Sequence, residues 1–161
     1  MKESTKKKWF VFKFWLLSLT WGLPVSLIGF LITGFCILIG GKPHKNGCTY
    51  IVEIGTNWGG LEWGPVAICG SYNQKDKGCY NPSWYEHTRK HEFGHSASQF
   101  IYMGIFFIFI VAIPSAVRYW YQRIAQKHGK TFPAEWYDSI WFEGMATKKG
   151  TQYADWLEET K

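Results

Sequence analysis

The sequence has no CxxC pair. Its four cysteines, Cys36, Cys48, Cys69 and Cys79, are scattered, which argues against a zinc site built on cysteine. Cys48 and Cys69 are placed to meet across a hairpin, as a disulfide or as two free thiols. Charge is absent from two long stretches, residues 14–41 and 96–117. At ~1.5 Å per residue the first is ample to cross a hydrocarbon layer of about 30 Å. It ends without a small-x-small cleavage site, so it reads as a retained span and not as a signal peptide. No single basic face accounts for the net charge of +6; the lysines and arginines flank the apolar runs, which speaks against a nucleic-acid partner. Repeats and low-complexity segments are lacking too, and 161 residues leave room for one domain.

Aromatic residues are plentiful, at 19% of the chain, and Trp and Tyr favour a water–lipid boundary. A basic head, 1–13, precedes the apolar segment 14–41. Within that segment Trp21-Gly22-Leu23-Pro24 should kink the helix or split it, because Pro24 lacks a backbone donor. Residues 49–54 and 61–69 read as strands joined by a glycine-rich turn at 55–60, giving a hairpin over 48–70 in which Pro65 requires an edge position. A polar loop follows, and Ser83 is a candidate cap for a helix over 84–117 that runs into the second apolar segment and kinks or ends at Pro114. Tyr119-Trp120-Tyr121 suits a membrane interface. Residues 133–153 read as an amphipathic helix. The expected fold is a mainly α membrane protein: two apolar helical segments, an amphipathic C-terminal helix, and a small β-hairpin before the central helix, all in one unit over 1–161.

The chemistry is concentrated in His91-Glu92-Phe93-Gly94-His95. Residues four apart share a helix face, so His91 and His95 can offer two imidazoles to one metal ion, with Glu92 beside them as a base for a zinc-activated water. A catalytic zinc needs a third protein ligand. The candidates are His87, His128, Asp138 and Glu143. A helix puts His87 and His95 about 12 Å apart, which makes His87 a rim residue, and His128 lies in a connection rich in Lys and Gly. Glu143 is better placed, on one helix face with Thr147, while the small Ala146 allows close approach to the histidine helix. That arrangement is similar to the glutamate-zincins, whose second helix supplies the third ligand. Four positions later they carry an Asp that orients a ligating histidine through its other ring nitrogen; here Thr147 holds that place, and Asp138 can supply the missing charge. Tyr137 and Tyr153 are candidates for stabilising an oxyanion. Leu61, Glu62 and Trp63 form a candidate edge strand for pairing with a peptide.

The chain also resembles a family of small, uncharacterised bacterial and phage membrane proteins with a zincin-like motif. The likeness rests on Gly40-Gly41-Lys42-Pro43, Asn57-Trp58-Gly59-Gly60-Leu61 with Gly64, the histidine motif with Gln99, Ile113-Pro114-Ser115, and Tyr137-Asp138-Ser139-Ile140-Trp141-Phe142-Glu143-Gly144 with Ala146-Thr147. It implies a membrane-associated protein with metallopeptidase chemistry. The resulting expectation is an integral protein of the cell membrane that contacts lipid and holds one zinc ion per chain on His91, His95 and Glu143. It would hydrolyse a peptide or membrane-protein substrate near the membrane surface, with residues 133–153 folding back to the histidines. The alternative is a zinc-binding membrane protein that acts as an accessory or scaffold and cuts nothing.

Overall fold

The computed structural model describes residues 2–55, 59–70 and 82–159, without the side chains of Pro82 and Ala134. The expected turn at Asn57 and Trp58, the loop that follows Gly70, and Cys79 lie outside these residues.

The first uncharged run is divided. Helix α1 spans Glu3–Leu19 and α2 spans Leu23–Leu38. Pro24 lies in the first turn of α2, where a missing N–H costs nothing, so it opens a helix instead of bending one. The two helices meet at 91°. The bend rests on the Phe100 ring, which a Cβ at Gly22 would approach to 2.3 Å.

The expected hairpin is a four-stranded mixed sheet. Strands β1 (Lys42–Asn46), β2 (Thr49–Ile54), β3 (Gly60–Trp63) and β4 (Val66–Gly70) stand in the order β1-β2-β4-β3, with β2 and β4 parallel. Two tight turns cause the difference. Gly47, at φ +63°, folds β1 onto β2, and Gly64, at φ +76°, folds β3 back onto β4. Both need the left-handed conformation that glycine adopts cheaply. The stretch read as one strand is therefore two, and Pro65 sits in the turn between them. The separation also keeps Cys48 and Cys69 apart: both are free thiols, packed in different clusters, and burial pushes each thiol up to about 12.

The central helix is shorter than the sequence suggests. Helix α3 spans Pro82–His95, with Ser83 in its first turn. A π-helical segment, Ser96–Phe100, and a short α4, Ile101–Met103, follow. Gly104, at φ +54°, then breaks the helix, well before Pro114. A second π segment, Ile108–Ala112, leads into α5 (Ile113–Lys127), with Pro114 in its first turn. A 3₁₀ segment, Ala134–Ser139, precedes α6, Trp141–Glu158.

The fold class is thus α/β with a four-stranded mixed sheet, and not the arrangement of two apolar helical segments with a small hairpin that was expected. Among the described residues no single helix is long and apolar enough to cross a membrane; α1 and α2 meet the criteria of length and composition only as a bent pair. Phe14, Val25, Phe93, Phe100, Phe107 and Phe142 form the main core. Glycine permits the closest approach, between α3 and α6. A Cβ on Gly94 would lie 1.9 Å from the Ala146 carbonyl oxygen, and one on Gly150 1.9 Å from that of Lys90. The Lys90–Asp155 ion pair, 2.7 Å, clips the same two helices together.

Candidate metal centre

Helix periodicity on α3 places His91 and His95 on one face, and α6 packs along that face with Glu143 in its first turn. All three side chains are buried, and Glu143 is fully so. Their donor atoms form a small triangle: His91 Nε2 to Glu143 Oε2 is 3.0 Å, His95 Nε2 to the same oxygen 3.2 Å, and the two Nε2 atoms are 3.1 Å apart. Bonds of about 2.0–2.1 Å at tetrahedral angles separate neighbouring ligand atoms by about 3.3 Å, so the triangle has the dimensions of one face of such a site. The group can hold a metal ion. The other Glu143 oxygen, Oε1, is buried without a hydrogen-bond partner, which adds to the case for a cation here.

The opposite ring nitrogens are tied back. His91 Nδ1 lies 2.8 Å from Thr147 Oγ1, and the Thr147 hydroxyl donates to Asp138 Oδ2 at 3.0 Å. Having given its only proton to Asp138, Thr147 must accept from His91 Nδ1–H, which leaves the Nε2 lone pair for a metal. The Asp138 charge is thus passed through a hydroxyl. His95 Nδ1 lies 2.8 Å from Gln99 Oε1, and the Gln99 amide donates to the Phe142 carbonyl at 2.6 Å. Gln99 thereby links the histidine helix to the start of α6. Because partners of the ligating side chains commonly carry 10–100-fold in metal affinity, Thr147→Val should weaken metal binding by about that factor in a chelator competition. A change below about twofold would remove Thr147 from the site.

Electrostatics in the metal-free protein follow from the same contacts. Burial alone would raise the Glu143 carboxyl, but the hydrogen bonds from His91 and His95 outweigh it and hold the group well below the carboxylate range. Burial alone would lower the His95 imidazole; the bond and charge of Glu143 lift it instead, to about 9. A proton on His95 therefore stands where a cation can replace it.

Glu92 is buried beside the histidines, and burial raises its carboxyl against their opposing pull. Strand β3 runs directly over it: a Cβ on Gly60 would lie 2.1 Å from Glu92 Oε1. A cleft of about 340 Å³ opens there, lined by Leu61, Trp84, His91, Glu92, Trp120 and Tyr137 among others. The segment bearing Tyr137 and Asp138 is fixed by α5, whose Arg118 donates to the carbonyls of Tyr137 and Trp136 and to Ser139 Oγ. Tyr137 bonds Ser115 at 2.9 Å and lines the cleft.

The other expected residues divide cleanly. His87 is on the cleft rim, its ring 6.2 Å from that of His91. His128 ends α5 away from the triangle, and Tyr153 stacks on Phe10. Leu61, Glu62 and Trp63 lie in β3, which does form a sheet edge. Glu62, however, turns its side chain inward and is buried. Ser96 Oγ is 2.8 Å from Glu62 Oε1 and 2.7 Å from the Gly64 carbonyl. One hydroxyl proton cannot serve two acceptors, so a protonated Glu62 donating to Ser96 satisfies both contacts, in line with the strong upward push that burial gives this carboxyl. Sequence reasoning missed that role for Glu62 and left Gln99 without one. Gln99 had a readable signal, since it stands four residues after His95 on the same helical face.

Comparisons of the chain with protein-family models, with curated proteins and with solved structures gave no match.

Proposed function

We propose that this chain is a zinc metallopeptidase. The observation that carries the reading is the triangle of two Nε2 atoms and one carboxylate oxygen, with both opposite ring nitrogens engaged and Glu92 alongside in an open cleft. Two imidazoles and a carboxylate suit zinc better than calcium or magnesium, which favour all-oxygen sites. Structural zinc sites are closed by four protein ligands, whereas three ligands beside a cleft match a catalytic one; this weighs against a purely structural role.

A bound zinc ion would supply Lewis acidity, polarising a carbonyl and acidifying a water. The chain does the rest. Glu92 takes the proton from the attacking water and returns it to the leaving amine. Tyr137 faces the same space and can donate its hydroxyl proton to a developing oxyanion. Antiparallel pairing turns alternate backbone groups of β3 away from β4. With the Gly70 N–H bonded to the Gly59 carbonyl, the groups left over are those of Gly60 and Glu62, next to the cleft. An extended peptide can pair with them, so the backbone of β3 and not the Glu62 side chain would hold substrate.

The test is hydrolysis of a mixed peptide library by the zinc-loaded chain, read by mass spectrometry. Cleavage that stops with a chelator and returns with zinc is expected. Full zinc occupancy without cleavage of any peptide would favour the accessory role.

A further inference from the structure

One helix of this protein is inside out, and a second exposes large apolar side chains as well as burying a core face. The face that α2 buries is Val25, Ser26, Gly29, Thr33 and Cys36, small and partly polar. Its outward face carries Leu27, Ile28, Phe30, Leu31, Phe35 and Leu38, with Leu31 75% and Leu38 86% exposed. Helix α1 is apolar on both sides: it buries Phe14 and packs Phe10, Val11, Trp15 and Leu17 against the core, while Trp9, Phe12, Leu16 and Leu19 face out. A helix that meets water does the reverse of α2, whereas small residues inside and large apolar ones outside are the habit of helices in lipid.

The apolar surface continues onto a third element. At the bend after α1, Trp21 donates to the Tyr102 carbonyl at 3.3 Å, and its ring lies 6.4 Å from that of Phe106. From there Phe109, Ile110, Ile113, Val117, Trp120 and Ile124 are exposed along the second apolar run and α5. The patches of monomeric soluble proteins reach about 300–600 Å² and are often functional; here exposed large apolar side chains recur along three helices. Its charge is of one sign. Apart from Glu3, which pairs with Lys6 at 3.3 Å, no Asp or Glu occurs from residue 1 to 52 or from 93 to 134, and the cations are at the margins: Lys2 just before α1, Lys8 and Lys13 on it, Arg123, Lys127 and Lys130 on and after α5.

We propose that the outward faces of α1, α2 and α5 enter one leaflet of an anionic lipid bilayer. Large apolar residues fill the acyl region, exposed Trp9, Trp21 and Trp120 sit at headgroup depth, and the marginal lysines and arginines pair with lipid phosphates. No helix has to cross. Trp120 belongs both to this surface and to the wall of the cleft, so the cleft opens at the lipid boundary.

The test uses the full chain, diluted from detergent into vesicles of phosphatidylcholine alone or mixed with phosphatidylglycerol. Environment-sensitive dyes are attached at Leu31→Cys, Phe109→Cys and, as the control, Lys148→Cys, in a Cys79→Ser background where the remaining native thiols are buried. The chain should float with anionic vesicles about tenfold or more better than with neutral ones. Dyes at residues 31 and 109 should shift to the blue on binding, and the dye at 148 should not. Leu31→Glu combined with Phe109→Glu should lower flotation at least about tenfold while zinc binding stays unchanged, which keeps this result separate from that of the metal site. Dyes that stay water-like on both vesicles overturn the proposal, as does equal flotation on both. A lipid-free dimer that already shifts both dyes would instead assign the surface to a second copy of the chain.

Discussion

Glu92→Gln should leave zinc binding intact and lower peptide hydrolysis by about 10²–10⁴-fold, the range that a positioned base contributes. Glutamine keeps the size and hydrogen-bonding reach of the side chain but cannot accept the water's proton. The site separates the two functions physically. Glu92 is outside the triangle formed by His91, His95 and Glu143, and it faces the cleft and the backbone of Gly60. Zinc titration and kinetics on the same preparation give the answer. Near wild-type turnover in the variant would remove Glu92 from the mechanism; loss of zinc would move it into the ligand set.

Zinc affinity should rise steeply with pH. In the metal-free protein His95 is lifted from 6.5 to about 9 by Glu143. Zinc needs the neutral imidazole, so below that value each ion displaces about one proton. Apparent affinity should climb about tenfold per pH unit up to about 9, then level off. A histidine at its ordinary value would level off above about 6.5. The sign for stability is the opposite. A raised pKa means that the His95–Glu143 contact stabilises the metal-free fold fully below about 6.5 and that this contribution is lost as pH rises through about 9. Metal competition across this interval, with melting curves of the metal-free protein, checks both halves. An affinity flat above about pH 7 would mean that no buried proton is displaced.

What the sequence could reveal depended on how local each feature is. His91 with His95, and Glu143 with Thr147, are spaced four apart, and a helix turns that spacing into a shared face without further information. Small residues at Gly94, Ala146 and Gly150 then let the two helices meet closely enough for a common ion. Asp138 could be recognised as the missing charge, but its route through Thr147 depends on the 3₁₀ segment that Arg118 anchors. The sheet was less legible. Strand β1 reads Lys-Pro-His-Lys-Asn and carries no apolar alternation, and the parallel pairing of β2 with β4 leaves no mark in either strand. Gly64-Pro65 is the available clue, since the dipeptide marks a turn more readily than an edge strand. The second uncharged run misled for a related reason. Apolar composition cannot distinguish one long helix from two, and the break hangs on the backbone of Gly104 and the π segments on either side.

The central claim is that two helices, α3 and α6, together build one metal site. Metal analysis of purified wild type beside Glu143→Ala tests it most directly, because Glu143 lies on the second helix and far from the motif in sequence. The wild type should carry one zinc per chain, and Glu143→Ala should bind it far more weakly, by more than the ~10–100-fold of an outer-shell loss. Full zinc occupancy in Glu143→Ala would contradict the account.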